Sequence, residues 1–274
     1  TTINGTWNRI IKISHEDVTV KNLKLVSGSN TTSSVYIDEE DAVLEGLEIH
    51  GGYQAIEVHG RYAKISNSQV VGQSNSGIQV KAQGLNLEIS NSIVRNSEGY
   101  GIYVELGALY VNINNNSIHN NSNYGLRFQS YASTISDNTI IDNDNWGMQI
   151  NGRTADDQDN IIRNNTILRN AHGLKLYKQD SVLYSNTIKD NEGYGLQIDT
   201  SSNIYLWNNT LSNNDDEDIS LTTSSTAYSI GTTFSTIEVS SDSILTVKSY
   251  LDLDVNDASG DNMSGIDIKV MEDD

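Results

Sequence analysis

The sequence contains no cysteine and no proline. Without thiols there is neither a disulfide framework nor a thiolate metal site. At an average usage of about 5%, roughly a dozen prolines would stand in a chain this long; tightly laddered strands have few places for them. Basic side chains are scarce, 17 against 36 acidic ones, for a net charge of −19. That balance opposes phosphate backbones and anionic lipids, so nucleic acid and membrane surfaces are not expected partners. No apolar run approaches the ~18 residues of a membrane span, and no basic-then-apolar leader opens the sequence. A 3.6-residue periodicity is also missing, which argues against helices.

What is present is a sentence written several times. Residues 135–150 read ISDNTIIDNDNWGMQI and residues 183–198 read LYSNTIKDNEGYGLQI. Apolar anchors recur at Ile65, Ile89, Ile113, Ile135, Ile162, Leu183 and Leu206, each with an aliphatic partner five residues on, from Val70 to Leu211. A Gly-led triplet such as GIYV at 101 or GLQI at 195 follows, alternating apolar and polar residues as a half-buried strand does. The period, about 22 to 26 residues, is too short for a helix pair. Two or three short strands per turn, stacked turn on turn, therefore predict an all-β parallel solenoid of about nine to ten coils.

Asparagine marks the register. One column holds Asn116, Asn138, Asn165, Asn186 and Asn209, preceded by Ser68 and Ser92; another holds Asn121, Asn143, Asn170, Asn191 and Asn214. Asn suits tight turns, and a stacked amide can donate to one copy and accept from the other, so both columns are expected to be inward ladders rather than chemistry.

The pattern I-x-x-N-[TS]-I-x-x-N-x-x-[YW]-G-[IL]-x-[IVL] resembles the right-handed parallel β-helix repeat of the pectin-lyase-like superfamily, especially its NosD-like and archaeal cell-surface branches. The resemblance covers roughly residues 10–225 and implies the fold; that superfamily includes lyases, hydrolases, epimerases, adhesins and stalks, so it implies no single activity. Residues 243–274 leave the repeat and read as two alternating strands, 250–255 and 266–271, around a polar turn. They resemble the opening hairpin of an immunoglobulin-like module. The expected division is a β-helix over 1–225 and a terminal coil with a partial immunoglobulin-like β module, a short hairpin or partial sandwich, over 226–274. Two strands alone make no sandwich, so strand pairing with a neighbour is an expectation. The opening TTINGTW reads as the middle of an early coil, and we expect a segment of a larger surface protein.

For function, insertions cluster on one edge, at residues 82–86, 106–110 and 152–159, and are short. Long walls around a catalytic cleft are therefore not expected. The outward strand positions form two columns whose middle stretch, from Arg127 to Tyr177, carries no acid. Tyr103, Arg127, Gln129, Gln149, Asn151, Arg153, Lys175 and Tyr177 make a candidate strip for carboxylates or sulfates of an acidic glycan, with tyrosine faces for stacking. On the catalytic alternative, Lys175 or Tyr177 would abstract a proton beside a uronate carboxylate while Arg127 neutralised the charge. A further column, Tyr100, Tyr124, Trp146, His172 and Tyr194, either lines a sugar platform or stacks on itself.

The histidines at 15, 50, 59, 119 and 172 fall at different repeat phases, so no three-His metal centre is implied. Acid runs at 155–159 and 215–219 offer oxygen ligands for calcium, without an EF-hand pattern. Acceptor sequons for N-glycosylation stand at Asn4, Asn30, Asn115, Asn120, Asn164, Asn208 and Asn262. The reading is thus a non-catalytic extracellular or cell-surface β-helix, a stalk, sheath, filament subunit or adhesin, with glycans or identical subunits as partners and no cofactor unless calcium. A polysaccharide lyase, epimerase or hydrolase is the alternative.

Overall fold

A computed structural model describes residues 1–5, 9–152, 159–201 and 203–248. The described chain is all strand and turn, wound into three parallel sheets of 10, 11 and 11 strands, so the solenoid of about ten turns is as expected. The first sheet starts at Thr2–Gly5 and runs to Thr210–Ser212; the second runs from Ile11–Ile13 to Ile237–Val239; the third from Thr19–Lys21 to Ile244–Lys248. Each turn of chain supplies one strand to each sheet, except that the last described turn adds none to the first, and strands pair with those of the turns before and after.

The repeat maps directly onto this cross-section. The apolar anchors are the central residues of the third sheet, Ile89 pairing with Ile65 and Ile113. Their partners five residues on form the inward row of the first sheet, Val94 against Val70 and Ile118. The Gly-led triplets are the second sheet, Leu126 and Phe128 pairing with Met148 and Ile150. All of these residues are fully buried. Because side chains alternate along a strand, the residue between each inward pair faces out, which is where the candidate site lies.

Corners connect the sheets, and there the backbone turns left-handed. Asn67, Asn91, Asn115, Asp137, Asn164, Ser185 and Asn208 hold φ between 51° and 60° at successive corners between the third and first sheets. Asn and Asp adopt this conformation more readily than other non-glycine residues. The next residue at most of these corners points inward as a ladder Asn. Its amide donates along the stack, Asn116 to Asn138 at 3.0 Å, Asn138 to Asn165 at 3.0 Å, Asn165 to Asn186 at 3.0 Å and Asn186 to Asn209 at 2.9 Å. The same side-chain oxygens accept backbone N–H groups, down to Ser92 N on Asn116 at 3.0 Å. The second ladder joins Asn121, Asn143, Asn170, Asn191 and Asn214 at 2.8–3.2 Å. It ends on the buried Asp218, whose Oδ1 accepts from Asn214 at 2.8 Å.

A third, mixed ladder runs between the second and third sheets: Val111 N donates to Ser133, Ser133 N to Asn160, Gln179 N to Ser201, and Ser201 N to Ser225. It is harder to see in the sequence than the other two, since an asparagine stands among serines there and the insertions fall on that edge. Strand pairing continues through Lys248, with Ile244–Lys248 in the third sheet. The expected hairpin at 250–255 and 266–271, and with it the immunoglobulin-like module, lies outside the described residues.

Candidate functional site

The outward face of the second sheet carries the two columns in the expected register. Tyr103 pairs with Arg127, Arg127 with Gln149, and Gln149 with Lys175; Asn151 pairs with Tyr177. Arg153 lies outside the described residues.

The side chains divide this strip into two parts. Around Arg127, the guanidinium carbon sits 5.4 Å, 5.5 Å and 5.7 Å from the ring centroids of Tyr100, Tyr103 and Tyr124. Its Nη1 donates to the Tyr100 hydroxyl at 2.7 Å, and the Tyr103 hydroxyl donates to Gln129 Oε1 at 2.8 Å. Burial raises the Tyr103 pKa, keeping that hydroxyl a donor. Lys175 instead turns away: its Nζ is 3.5 Å from Asp199 and 5.8 Å from the Trp146 ring centroid. The sequence expectation of Lys175 as a freely available cation or proton acceptor therefore meets a carboxylate partner one turn further on. Tyr177 has the Lys178 ammonium 5.2 Å from its ring centroid.

Pairing with carboxylates is the rule for outward cations of this sheet. Lys12 faces Asp38 at 3.4 Å and Lys81 faces Glu105 at 2.7 Å, as Lys175 faces Asp199. Among the described residues Arg127 has no such partner. Its Nε is buried without a hydrogen bond, as are Gln149 Oε1 and Asn151 Oδ1 along the same strip. A buried polar atom left unsatisfied costs about 1–3 kcal/mol, so this stretch of surface is chemically incomplete.

A groove of about 400 Å³ opens next to Arg127, toward the chain start, lined among others by Arg9, Tyr53, Glu57, Lys81, Tyr100 and Tyr103. Glu57 accepts from Ser33 at 3.0 Å, meets His59 at 3.0 Å, and lies 3.9 Å from Arg9. Glu105 accepts from Gln79 at 2.5 Å. The sequence strip began at Tyr103 and so missed this groove. Its walls come from the turns entering the second sheet, and the available signal was the alternation of Glu57, Lys81 and Glu105 in neighbouring columns.

The aromatic column stacks on itself. Trp146 and His172 lie 4.6 Å apart at 26°, His172 and Tyr194 5.8 Å at 23°, and Tyr100 and Tyr124 5.6 Å at 30°. Tyr194 N donates to His172 Nδ1 at 3.2 Å, so the stack uses a neutral imidazole there. Burial holds the His172 pKa down, partly offset by Asp216. As pH falls the unfolded chain takes up its proton first. This contribution to stability is therefore whole above about pH 6.5, the ordinary histidine value, and is lost as pH falls toward the lower folded pKa. His172→Tyr should flatten that decline, so the gap in urea midpoint between wild type and variant should change between pH 7.5 and pH 5. A constant gap would refute the assignment.

The remaining candidates are surface features. Asn4, Asn30, Asn115, Asn120, Asn164 and Asn208 are exposed, and Asn262 lies outside the described residues. Asn115, Asn120, Asn164 and Asn208 all sit at left-handed corners, with φ of 52–54°. In the 215–219 acid run, Asp218 uses both oxygens on the chain itself, Oδ2 accepting Ser235 N at 2.7 Å, which removes it as a ligand for calcium. Residues 155–158 of the other run are outside the described residues. No group of three or more His, Asp or Glu residues is arranged to hold a metal among the described residues.

The family model described as "Right handed beta helix region" matches residues 9–156, and that of the periplasmic copper-binding protein NosD matches residues 130–238. No curated protein sequence matches the chain closely enough to count as a relative. Among solved structures, the chain is similar to the A-module of the mannuronan C-5 epimerase AlgE6 of Azotobacter vinelandii (TM-score 0.67, 13% identity, covering 91% of this chain and 81% of that one). It is similar to the catalytic domain of Agl-KA (TM-score 0.63, 14% identity, covering 90% of this chain) and spans only 62% of that domain's length. The enzymatically active domain of bacteriophage CBA120 tailspike protein 2 is a third (TM-score 0.66, 11% identity, 84% of this chain, 43% of that one). At these identities the likeness is one of fold.

Proposed function

The chain belongs to the right-handed β-helix family, and from that premise we propose that it is a non-catalytic extracellular or cell-surface protein that holds an acidic polysaccharide along the outward face of its second sheet. The observation that carries this reading is Arg127, a guanidinium set among three tyrosines, without a carboxylate partner among the described residues, on a protein of net charge −19. Guanidinium groups pair side-on with carboxylates and sulfates, and tyrosine rings give the sugar an apolar surface. The unpartnered amide oxygens of Gln149 and Asn151 would accept sugar hydroxyls on the turn that follows Arg127. The similarity in fold to a mannuronan C-5 epimerase module is consistent with this reading.

Titration calorimetry with alginate, pectate and heparin, and with neutral dextran as control, tests it. Arg127→Ala should weaken binding to the acidic chain by about tenfold or more. Lys175→Ala should cost less, because Lys175 already faces Asp199. Equal affinity for wild type and Arg127→Ala, or no acidic glycan bound at all, would overturn the proposal.

A lyase, epimerase or hydrolase acting on the same ligand is the second reading. It is favoured by the groove beside Arg127, where the Tyr100 hydroxyl and the guanidinium are in contact. Ultraviolet absorbance from unsaturated uronates, a changed uronate composition or new reducing ends, with and without calcium, would establish it in place of the non-catalytic one.

A further inference from the structure

The third sheet carries an apolar patch on its outward face that the glycan strip does not use. Ile161, Val182, Tyr205 and Tyr228 occupy one outward column over four successive turns, and Tyr184, Trp207 and Ile230 occupy the column beside it. Tyr205 stacks on Tyr228 at 5.4 Å and 18°, so these rings present edges rather than open faces to solvent, which disfavours a sugar platform. Ile161 and Trp207 are each 40% exposed. The strands Asn160–Arg163, Ser181–Tyr184, Ile204–Trp207 and Thr226–Ile230 contain no Asp or Glu.

We propose that this patch is covered by the chain's own residues 250–255. The described residues end at Lys248, which pairs with Ile230 and so stands directly over the outward column of Trp207 and Tyr184. Two residues later comes YLDLDV, in which Leu251, Leu253 and Val255 alternate with Asp252 and Asp254. As an extended segment it shows one apolar and one acidic edge. Four turns at a spacing of about 4.8 Å make a patch about 15–20 Å long, and six extended residues at about 3.3 Å reach about 20 Å. The fit in length is close.

Two features favour this occupant over a second copy. A patch of roughly 15–20 Å by 10 Å offers about 200 Å², well short of the ~800 Å² per partner of a stable interface. Residues 249–274 also carry eight acids against one lysine on a protein already at −19, and the four strands of the patch place no carboxylate under such a segment.

The absence of cysteine permits a direct test in the full chain. Ile161→Cys places a thiol in the patch, and Ile93→Cys places one on the first sheet at nearly the same exposure, 40% against 39%. Both are outward positions; Val182→Cys is a second patch position should Ile161→Cys lose its β-sheet circular dichroism. The patch thiol should react with maleimide about tenfold more slowly than the thiol at position 93. Adding Leu251→Asp and Leu253→Asp should bring the two rates together. Equal rates in the unaltered segment, or protection that survives both Asp substitutions, would overturn the proposal. Protection that disappears on dilution would assign the patch to a second copy and overturn it equally.

Discussion

Asn165→Ala is expected to lower the unfolding free energy by about 4 kcal/mol, since each buried partner left unsatisfied costs about 1–3 kcal/mol. The Asn165 amide serves four groups. Its Oδ1 accepts Asn138 N and Asn138 Nδ2, each at 3.0 Å, and its Nδ2 donates to Ile135 O at 2.9 Å and to Asn186 Oδ1 at 3.0 Å. Alanine leaves the Asn138 N–H and the Ile135 carbonyl without these bonds, in a corner where Asn165 is 1% exposed. Leucine would not rescue the loss, because polarity rather than volume is missing. The neighbouring Asn164, exposed and at φ 54°, is the control: Asn164→Gly keeps the left-handed turn and should be close to neutral. Urea unfolding followed by circular dichroism measures both. A midpoint for Asn165→Ala equal to that of Asn164→Gly would mean the ladder contributes little.

Gly125→Ala is expected to cost about 3 kcal/mol, the upper end of ordinary overpacking. A Cβ at that position would lie 2.7 Å from each of three atoms: the ladder amide Asn143 Nδ2, the Gly147 carbonyl oxygen and Ile140 Cγ2. The amide is held by its ladder hydrogen bonds, the carbonyl belongs to the backbone of the next turn and Ile140 is packed in the core, so none can give way cheaply. The conflict is spatial and not conformational, because Gly125 is not in the left-handed region. Gly72 is the contrast: its φ is +76°, but nothing lies within 4 Å of a Cβ there, so Gly72→Asn should be mild. Thermal unfolding of the two variants separates the causes. A larger loss at Gly72 than at Gly125 would show that backbone conformation, not crowding, governs this repeat.

These two residues also mark how far the sequence could be read. The Asn column was legible because each amide recurs at a fixed distance from an apolar anchor, and only a stack of equal turns gives such a recurrence meaning. The glycine column was equally visible as a pattern, but its cause was not: one must place the Asn ladder, the aliphatic row of the first sheet and the next turn's carbonyl in space to see them converge on one point. The same limit applies to the candidate site. Strand register put Arg127 between Tyr103 and Gln149 correctly, since alternation fixes which residues face out. Which cation would find a carboxylate was not legible, because Lys175 reaches Asp199 through its choice of side-chain rotamer, and Arg127 bonds Tyr100 from a different turn. The groove beside it needed several turns entering the sheet to be set side by side, which no single copy of the repeat shows.

Every interstrand hydrogen bond in the three sheets, and every amide in the ladders, points along the stacking direction. About ten turns at ~4.8 Å make a rod roughly 50 Å long, and tension between its ends would load the junctions between turns in series. Such a rod yields at its weakest junction. A sideways load divides among many bonds at once, so a chain of this build should resist bending and shear far better than peeling from one end.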